Sequence, residues 1–404
     1  MPTRRVGATK RMSRGAAGQR RGPVRLLLSA PLPLCSAVLS LSCVPDSARQ
    51  VESAAADSLY VMQRLGGNAL VVRRGFRVAV FAEDLDGVRM LSRGPDGTVY
   101  GSLTRSGGVV ALPDADGDGR ADRIRPVIEG LRGPHGLAWA GDTLYIAEEH
   151  RVIRLVPPDA RVEVVIEGLP TGGNHTSRSI LVRGDTLLVS IGSSCNLCDE
   201  RDPRRAAITS YRTDGSGERP FATGLRNSVG LTWHPITGAL WATNNDRDRL
   251  GDDVPPDRVN VVAEGGWYGW PECYLPGTPN PEYEDHASRC DAAIGPTVLL
   301  PAHSAPLGLV FYEGAQFPEE FRDDLFVALH GSWDRSFPTG YKVVRVPMQD
   351  GAPAGEAEDF VAGWQIGRRW WGRPVDLVLG ADGALYISDD FGDRVFRIWW
   401  EGGR

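Results

Sequence analysis

Carboxylates alternate along Asp114-Ala-Asp116-Gly-Asp118-Gly-Arg-Ala-Asp122. Hard oxygens spaced this way across a glycine-bent loop are what Ca²⁺ takes as ligands. Arg125 stands at the twelfth position, where a bidentate Glu is usual. The segment therefore reads as a structural calcium loop or as an acidic solvated turn, and in neither case as a catalytic one. A second chemistry sits in Thr171-Gly-Gly-Asn-His175-Thr-Ser-Arg178. A histidine on a loop of small and polar residues can reach a pocket and act as a general base near neutral pH; a packing histidine is the plain alternative. Of the other six, His150, His286 and His330 show no obvious partners, and His234 and His303 sit beside Pro or Ser in expected turns. Arg226-Asn227, within Gly224-Leu-Arg-Asn-Ser-Val-Gly230, sets a planar fork beside an amide, a pair suited to carboxylates or quinone carbonyls. Arg335 and Arg373 also end loops. Clustered Arg suggests an anionic ligand, although Lys342 is the only lysine after the leader, so part of the bias is compositional.

The elements that must hold these residues follow from a repeat. A polar or Gly turn followed by a short strand recurs in Asp96-Gly-Thr-Val-Tyr100, Gly141-Asp-Thr-Leu-Tyr145 and Gly184-Asp-Thr-Leu-Leu188. It returns in Thr237-Gly-Ala-Leu-Trp241, Arg322-Asp-Asp-Leu-Phe326 and Asp382-Gly-Ala-Leu-Tyr386. Turns of this kind between short strands are hairpin signals. Most intervals are about the length of one four-stranded sheet, and six copies predict an all-β, six-bladed β-propeller. Val152-Ile-Arg-Leu155 and Val395-Phe-Arg-Ile398 read as the strands that follow the repeat strand. The longest interval, from 241 to 326, predicts an insertion around 250–300, which holds Cys273 and Cys290.

Composition narrows the function classes. The 404-residue chain is 42% hydrophobic and 24% charged, an ordinary soluble balance. No apolar run reaches the roughly 18 residues of a spanning helix, which excludes a helical membrane transporter. Residues 1–43 hold eight of the 45 Lys and Arg and no acid, leaving 37 bases against 51 acids in the body. So acidic a body is a poor nucleic-acid binder. The basic head precedes the apolar stretch Leu26–Leu41 and ends in Leu41-Ser42-Cys43, the pattern of an export signal in which Cys43 is a lipidation site. Residues 44–75 read as a linker and 76–404 as the propeller. Export to the periplasm or cell envelope, with a possible lipid anchor, makes disulfides the natural state of the four remaining cysteines, and the short spacings favour Cys195–Cys198 and Cys273–Cys290. A zinc half-site at Cys195–Cys198 fails because the other pair is spaced wrongly. A redox motif there lacks a βαβ context, and covalent haem lacks a His after Cys198.

Seven blocks follow in order: Gly192-Ser-Ser-Cys-Asn-Leu-Cys198, Gly224-Leu-Arg-Asn-Ser-Val-Gly230, Asn245-Asp-Arg-Asp-Arg-Leu-Gly-Asp-Asp253 and Gly265-Gly-Trp-Tyr-Gly-Trp-Pro271. His303-Ser-Ala-Pro-Leu-Gly308, His330-Gly-Ser-Trp-Asp-Arg335 and Gly372-Arg-Pro374 complete the set. With these blocks the chain resembles the pyrroloquinoline-quinone-dependent sugar dehydrogenases, in particular the L-sorbosone dehydrogenase-like branch. The resemblance spans about residues 75–400 and implies a six-bladed propeller that binds pyrroloquinoline quinone and Ca²⁺. It implies that His175 is the catalytic base and that Arg226, Asn227, Arg335, Arg373 and His135 contact the cofactor. Backbone oxygens of Asn245, Asp246, Arg247 and Asp248 would hold the Ca²⁺ beside the quinone. Ser193 replaces an acid of glucose-oxidising relatives, which argues against glucose as the substrate. The expected activity is oxidation of an aldose, sugar aldehyde or similar CH–OH compound, with electrons passed to an external acceptor such as a cytochrome c. The competing readings are a calcium-dependent propeller hydrolase of the lactonase kind and a non-catalytic envelope binding protein, since propellers host many functions.

Overall fold

The computed structural model describes residues 59–402, all in one β architecture with short helical turns. Cys43 and the expected leader lie outside the described residues. Every repeat strand becomes the second strand of a four-stranded antiparallel blade. In order these are Val99–Leu103, Thr143–Ala147, Thr186–Ile191, Leu240–Asn244, Leu325–Leu329 and Leu385–Asp389. The innermost strands, Val88–Arg93, Leu137–Ala140, Arg178–Arg183, Leu231–Trp233, Pro306–Phe311 and Pro374–Leu379, touch their counterparts in adjacent blades and surround the centre. The six-bladed propeller expected from the repeat is the fold observed.

Closure comes from the N-terminal side. Phe76–Ala82 pairs with Arg394–Trp400 and completes the sixth blade from the opposite end of the chain. This closure ties the two ends of the propeller into one blade and pairs the outer edge of Arg394–Trp400. The linker expected over 44–75 requires correction where it is described. Tyr60–Leu65 and Asn68–Arg73 form a hairpin whose second strand extends the fifth blade through Val71 and Val72. Leu70 and Val72 are fully buried, and burial of alternate Val and Leu is the reason the segment is a strand.

Face-to-face packing of blades supplies the core. Between the fifth and sixth blades Phe76 meets Phe317, Phe321 and Phe360 edge-on, with centroids 4.7, 5.1 and 5.0 Å apart. Edge-on aromatic pairs add to ordinary apolar burial. The predicted insertion leaves the fourth blade between Asp257–Val262 and Val298–Leu300, and both expected disulfides are formed. Cys273–Cys290 is fully buried inside the insertion, whereas Cys195–Cys198 is half-buried in the loop after Thr186–Ile191.

Candidate active site

An antiparallel blade brings the start of its inner strand and the end of its second strand to the same side of the ring. Chemistry-bearing residues gather on that side. Arg89, His135, His175, Arg226 with Asn227, His303 and Arg373 lie at or just before the starts of the six inner strands. Thr104, Glu149, Asn245 and His330 follow the ends of second strands. Together they line one cavity of about 430 Å³ at the mouth of the central channel, with Trp333 at its rim, 70% exposed.

His175 is the best-positioned base. Its Nδ1–H donates to the Ser193 carbonyl at 2.8 Å, with the Ser193 hydroxyl at 3.1 Å. That fixes the tautomer and leaves Nε2 without a partner among the described residues. Burial, then the Arg226 charge, pushes its pKa down to about 4, so the ring is neutral and able to accept a proton. Arg178, placed next to the base by sequence, serves another purpose. Its buried guanidinium ties down the carbonyls of His175 at 3.0 Å and Ser177 at 2.8 Å, together with that of Pro170. Gly192 is required behind the ring: a Cβ there would lie 2.3 Å from Asn227 Oδ1 and 2.7 Å from His175 Cβ.

Arg226 is more committed to the protein than its sequence suggested. Nη1 donates to the carbonyls of Asn245 and Asp246 at 3.3 and 2.7 Å, Nε to Asn196 O at 3.0 Å, and Nη2 to Asn196 Oδ1 at 3.0 Å and Asp248 Oδ2 at 3.4 Å. Asn227 bonds Asn245 Oδ1 at 3.3 Å. Asn245, Asp246 and Asp248 line the cavity. Arg247 does not: its side chain turns outward to Glu282 at 2.5 and 2.9 Å and to Asn280 at 3.2 Å. The insertion consequently braces this loop from behind.

Arg335 needs the larger correction. Asp253 Oδ1 at 2.7 Å and the Asp252 carbonyl capture its guanidinium, and it faces a neighbouring groove instead of the cavity. Of the acidic loop, Asp114, Asp116 and Asp122 bring oxygens within 4.8 Å of one another. Asp118 instead accepts the Arg120 amide at 2.8 Å. This cluster is remote from the cavity lining.

On the opposite wall Arg373 and His135 line the cavity, whereas Arg89, Asp390 and the pairing of His330 were not expected. His330 was read as unpartnered, yet its Nε2 donates to Asp390 Oδ1 at 2.9 Å, and Arg89 binds the other Asp390 oxygen. Arg373 donates to the carbonyls of His330 and Gly331 at 3.2 and 3.1 Å, leaving Nη1 without an acceptor among the described residues. His303, placed in a simple turn by sequence, bonds Gly251 O at 2.8 Å and faces Asp248 at 3.4 Å. His135 lies fully buried beside them, and its Nε2 has no partner among the described residues.

A model of the TrAA12-like family matches residues 70–401. The chain belongs to the TrAA12-like family. An uncharacterized protein of Borreliella burgdorferi is 30% identical over 356 residues, which make up 83% of this chain and 92% of that one. A pyrroloquinoline quinone-dependent pyranose dehydrogenase of Coprinopsis cinerea is 32% identical over 232 residues, 45% of this chain but only 31% of that protein. The holo form of the pyranose dehydrogenase PQQ domain from Coprinopsis cinerea superimposes with a TM-score of 0.72 at 24% identity, covering 83% of this chain and 98% of that one. A calcium structure of the family AA12 enzyme of Trichoderma reesei gives 0.71 at 21% identity, with 84% and 98% covered. At these identities the superpositions establish the propeller and its closure, and the site of this TrAA12-like chain rests on its own residues.

Those residues fit a quinone polycarboxylate. His135 lines the cavity, and its buried Nε2 has no partner among the described residues, a state that ordinarily demands one. Arg89 and Arg373 add positive charge on the same wall, suited to carboxylates. The carbonyls of Asn245 and Asp246 are the hard oxygens that Ca²⁺ takes. Each carbonyl has two lone pairs, so Arg226 and a cation can share them.

Proposed function

We propose that the protein is an exported quinoprotein that oxidises a CH–OH group of an aldose, sugar aldehyde or related substrate. The observation that carries this reading is the cavity itself. One wall presents a neutral, oriented base with a free Nε2, and the other presents cations and an orphaned donor–acceptor histidine. Pyrroloquinoline quinone, when bound, supplies the two-electron acceptor that no side chain provides. Arg373, Arg89, His135 and Asn227 are the residues we assign to holding it, and the Asn245–Asp248 loop the oxygens for Ca²⁺.

His175 Nε2 takes the substrate hydroxyl proton, which raises the hydride-donating power of the attached carbon. Ser193 O holds the ring through Nδ1–H and stabilises the imidazolium once the proton arrives. The relatives' names support a sugar substrate, and Ser193 in place of an acid favours one other than glucose, in keeping with the sorbosone-type branch. Electrons pass to an external acceptor such as a cytochrome c. We assign the leader at 1–43 to export into the periplasm or envelope, with Cys43 as the lipidation site; two formed disulfides support an oxidising compartment.

The test is reconstitution. Purified protein with pyrroloquinoline quinone and Ca²⁺ should reduce an artificial dye when offered members of a sugar panel, and EDTA treatment should abolish it. Failure to bind quinone under any cation condition overturns the reading.

A further inference from the structure

The half-buried disulfide loop touches both halves of the catalytic wall. Ser193, just before it, holds His175 through its carbonyl, and the Ser193 hydroxyl is itself fixed to Cys195 O at 2.7 Å. Asn196 lies between the two cysteines. Its Oδ1 accepts the Asp248 amide at 2.8 Å while its Nδ2 donates to the Asp248 carbonyl at 3.1 Å. A carboxamide thereby pairs with both backbone groups of Asp248 as a neighbouring strand would. The same Oδ1 accepts Arg226 Nη2 at 3.0 Å, and Asn196 O accepts Arg226 Nε at 3.0 Å. Glu200 closes the loop's base on the Ser194 amide at 2.5 Å and hydroxyl at 2.8 Å.

We infer that Asn196 is a positioning residue that holds the Arg226 guanidinium and the Asn245–Asp248 loop in register with His175, and that Cys195–Cys198 keeps it in place. The inference rests on the quinoprotein reading for its catalytic meaning, but the clamp is a property of the chain alone. An amide is needed here because one side chain must both accept from and donate to a peptide unit. Leu or Ala can do neither, and Asp keeps only the accepting half. Without the clamp, Arg226 loses its Asn196 Oδ1 contact, and Asp248 N–H and C=O lose theirs together.

The experiment compares Asn196→Ala, Asn196→Asp and the Cys195→Ser/Cys198→Ser pair with wild type in two assays. The first is amide hydrogen exchange of residues 245–248 in the quinone-free protein. The second is spectroscopic titration with pyrroloquinoline quinone in Ca²⁺. Asn196→Ala should exchange faster at Asp248 and bind quinone about 10-fold more weakly, the lower end of the usual cost of removing a supporting hydrogen-bond partner. Asn196→Asp, which still accepts from Asp248 N–H and Arg226 but sets a carboxylate oxygen against Asp248 O, should recover only part of the Asp248 N–H protection. The cysteine pair should fall between wild type and Asn196→Ala. Wild-type exchange and affinity in Asn196→Ala overturn the inference. If wild type binds no quinone, the proposed function fails, and the exchange assay still decides the clamp.

Discussion

The two walls of the cavity are built on different principles. The wall from the third and fourth blades is made of backbone: carbonyls of Ser193, Asn196, Asn245 and Asp246 hold His175 and Arg226. The wall from the fifth, sixth, first and second blades is made of charge, with Asp390 between Arg89 and His330 and Arg373 alongside. Backbone partners fix a tautomer and a direction, which a proton-transfer group needs. A charged network with spare donors attracts an anion and tolerates small shifts in where it sits. His175 on the first wall should therefore control rate, while affinity is shared between the charged wall and the clamped Asn245–Asp248 loop.

Replacing His175 by Gln is the strongest way to break that division. Removal of a positioned base costs about 10²–10⁴-fold. We expect kcat to fall by at least about 10²-fold, with quinone affinity measured by absorbance titration near wild type. A variant that instead lost quinone and kept kcat at saturation would reverse the assignment of the walls.

Gly192→Ala attacks the same wall from behind. The added Cβ conflicts with Asn227 Oδ1 and with His175 Cβ, so both must shift. Misplacement of a reacting group by about 1 Å is worth about 10²-fold in rate, and partial relaxation should bring the loss in kcat nearer 10-fold, read by steady-state kinetics. The backbone at Gly192 has no positive φ, so the effect would report contact and not strain.

Arg373→Ala tests the charged wall. Its free Nη1 is the part available to a ligand, while its other nitrogens hold carbonyls of the 330–331 turn. Loss of one charge-assisted hydrogen bond should weaken quinone binding by about 10-fold, seen in the titration midpoint, with kcat at saturating quinone changed far less. His175 and Arg373 would then separate, one in kcat and the other in affinity.

The walls also differed in how visible they were in the sequence. The backbone-built wall comes from contiguous stretches, so His175, Arg226, Asn227 and the Asn245–Asp248 loop stood out as short motifs. The charged wall joins Arg89, His330, Arg373 and Asp390, about 300 positions apart at the extremes, brought together only by ring closure through Phe76–Ala82. The repeat nevertheless contained a usable signal. One residue past the six repeat strands stand Thr104, Glu148, Gly192, Asn245, His330 and Asp390. Three line the cavity, and Gly192 and Asp390 support residues that do. Arg335 misled because the direction of a long side chain depends on local carboxylates, here Asp252 and Asp253, which strand periodicity does not describe. The first strands were missed because Tyr60–Arg73 is a hairpin added outside the repeat.

The smallest effect expected is in pH, and it bears on both walls. An unperturbed imidazole titrates near 6.5, so a base of that kind would lose about 30-fold of its active form at pH 5. Burial and the Arg226 charge instead hold His175 down to about 4. Between pH 7 and 5, kcat/KM should change by less than about 2-fold, and it should fall about 10-fold per unit only below pH 4. Stability follows the same sign. A histidine whose folded pKa lies below its unfolded value leaves the unfolded chain binding more protons, so folding weakens as pH falls from about 6.5 toward the folded value and is unaffected above it. His135 on the charged wall, pushed down by burial and then by Arg89 to about 3, extends that window further into acid. Thermal melts from pH 7 to 4 should therefore show a falling Tm in wild type, with a shallower slope in His135→Gln and an unchanged plateau above pH 7. A rate profile centred near 6.5 would mean that His175 is solvated and uncoupled from Arg226, and the wall described as rigid would have to be mobile.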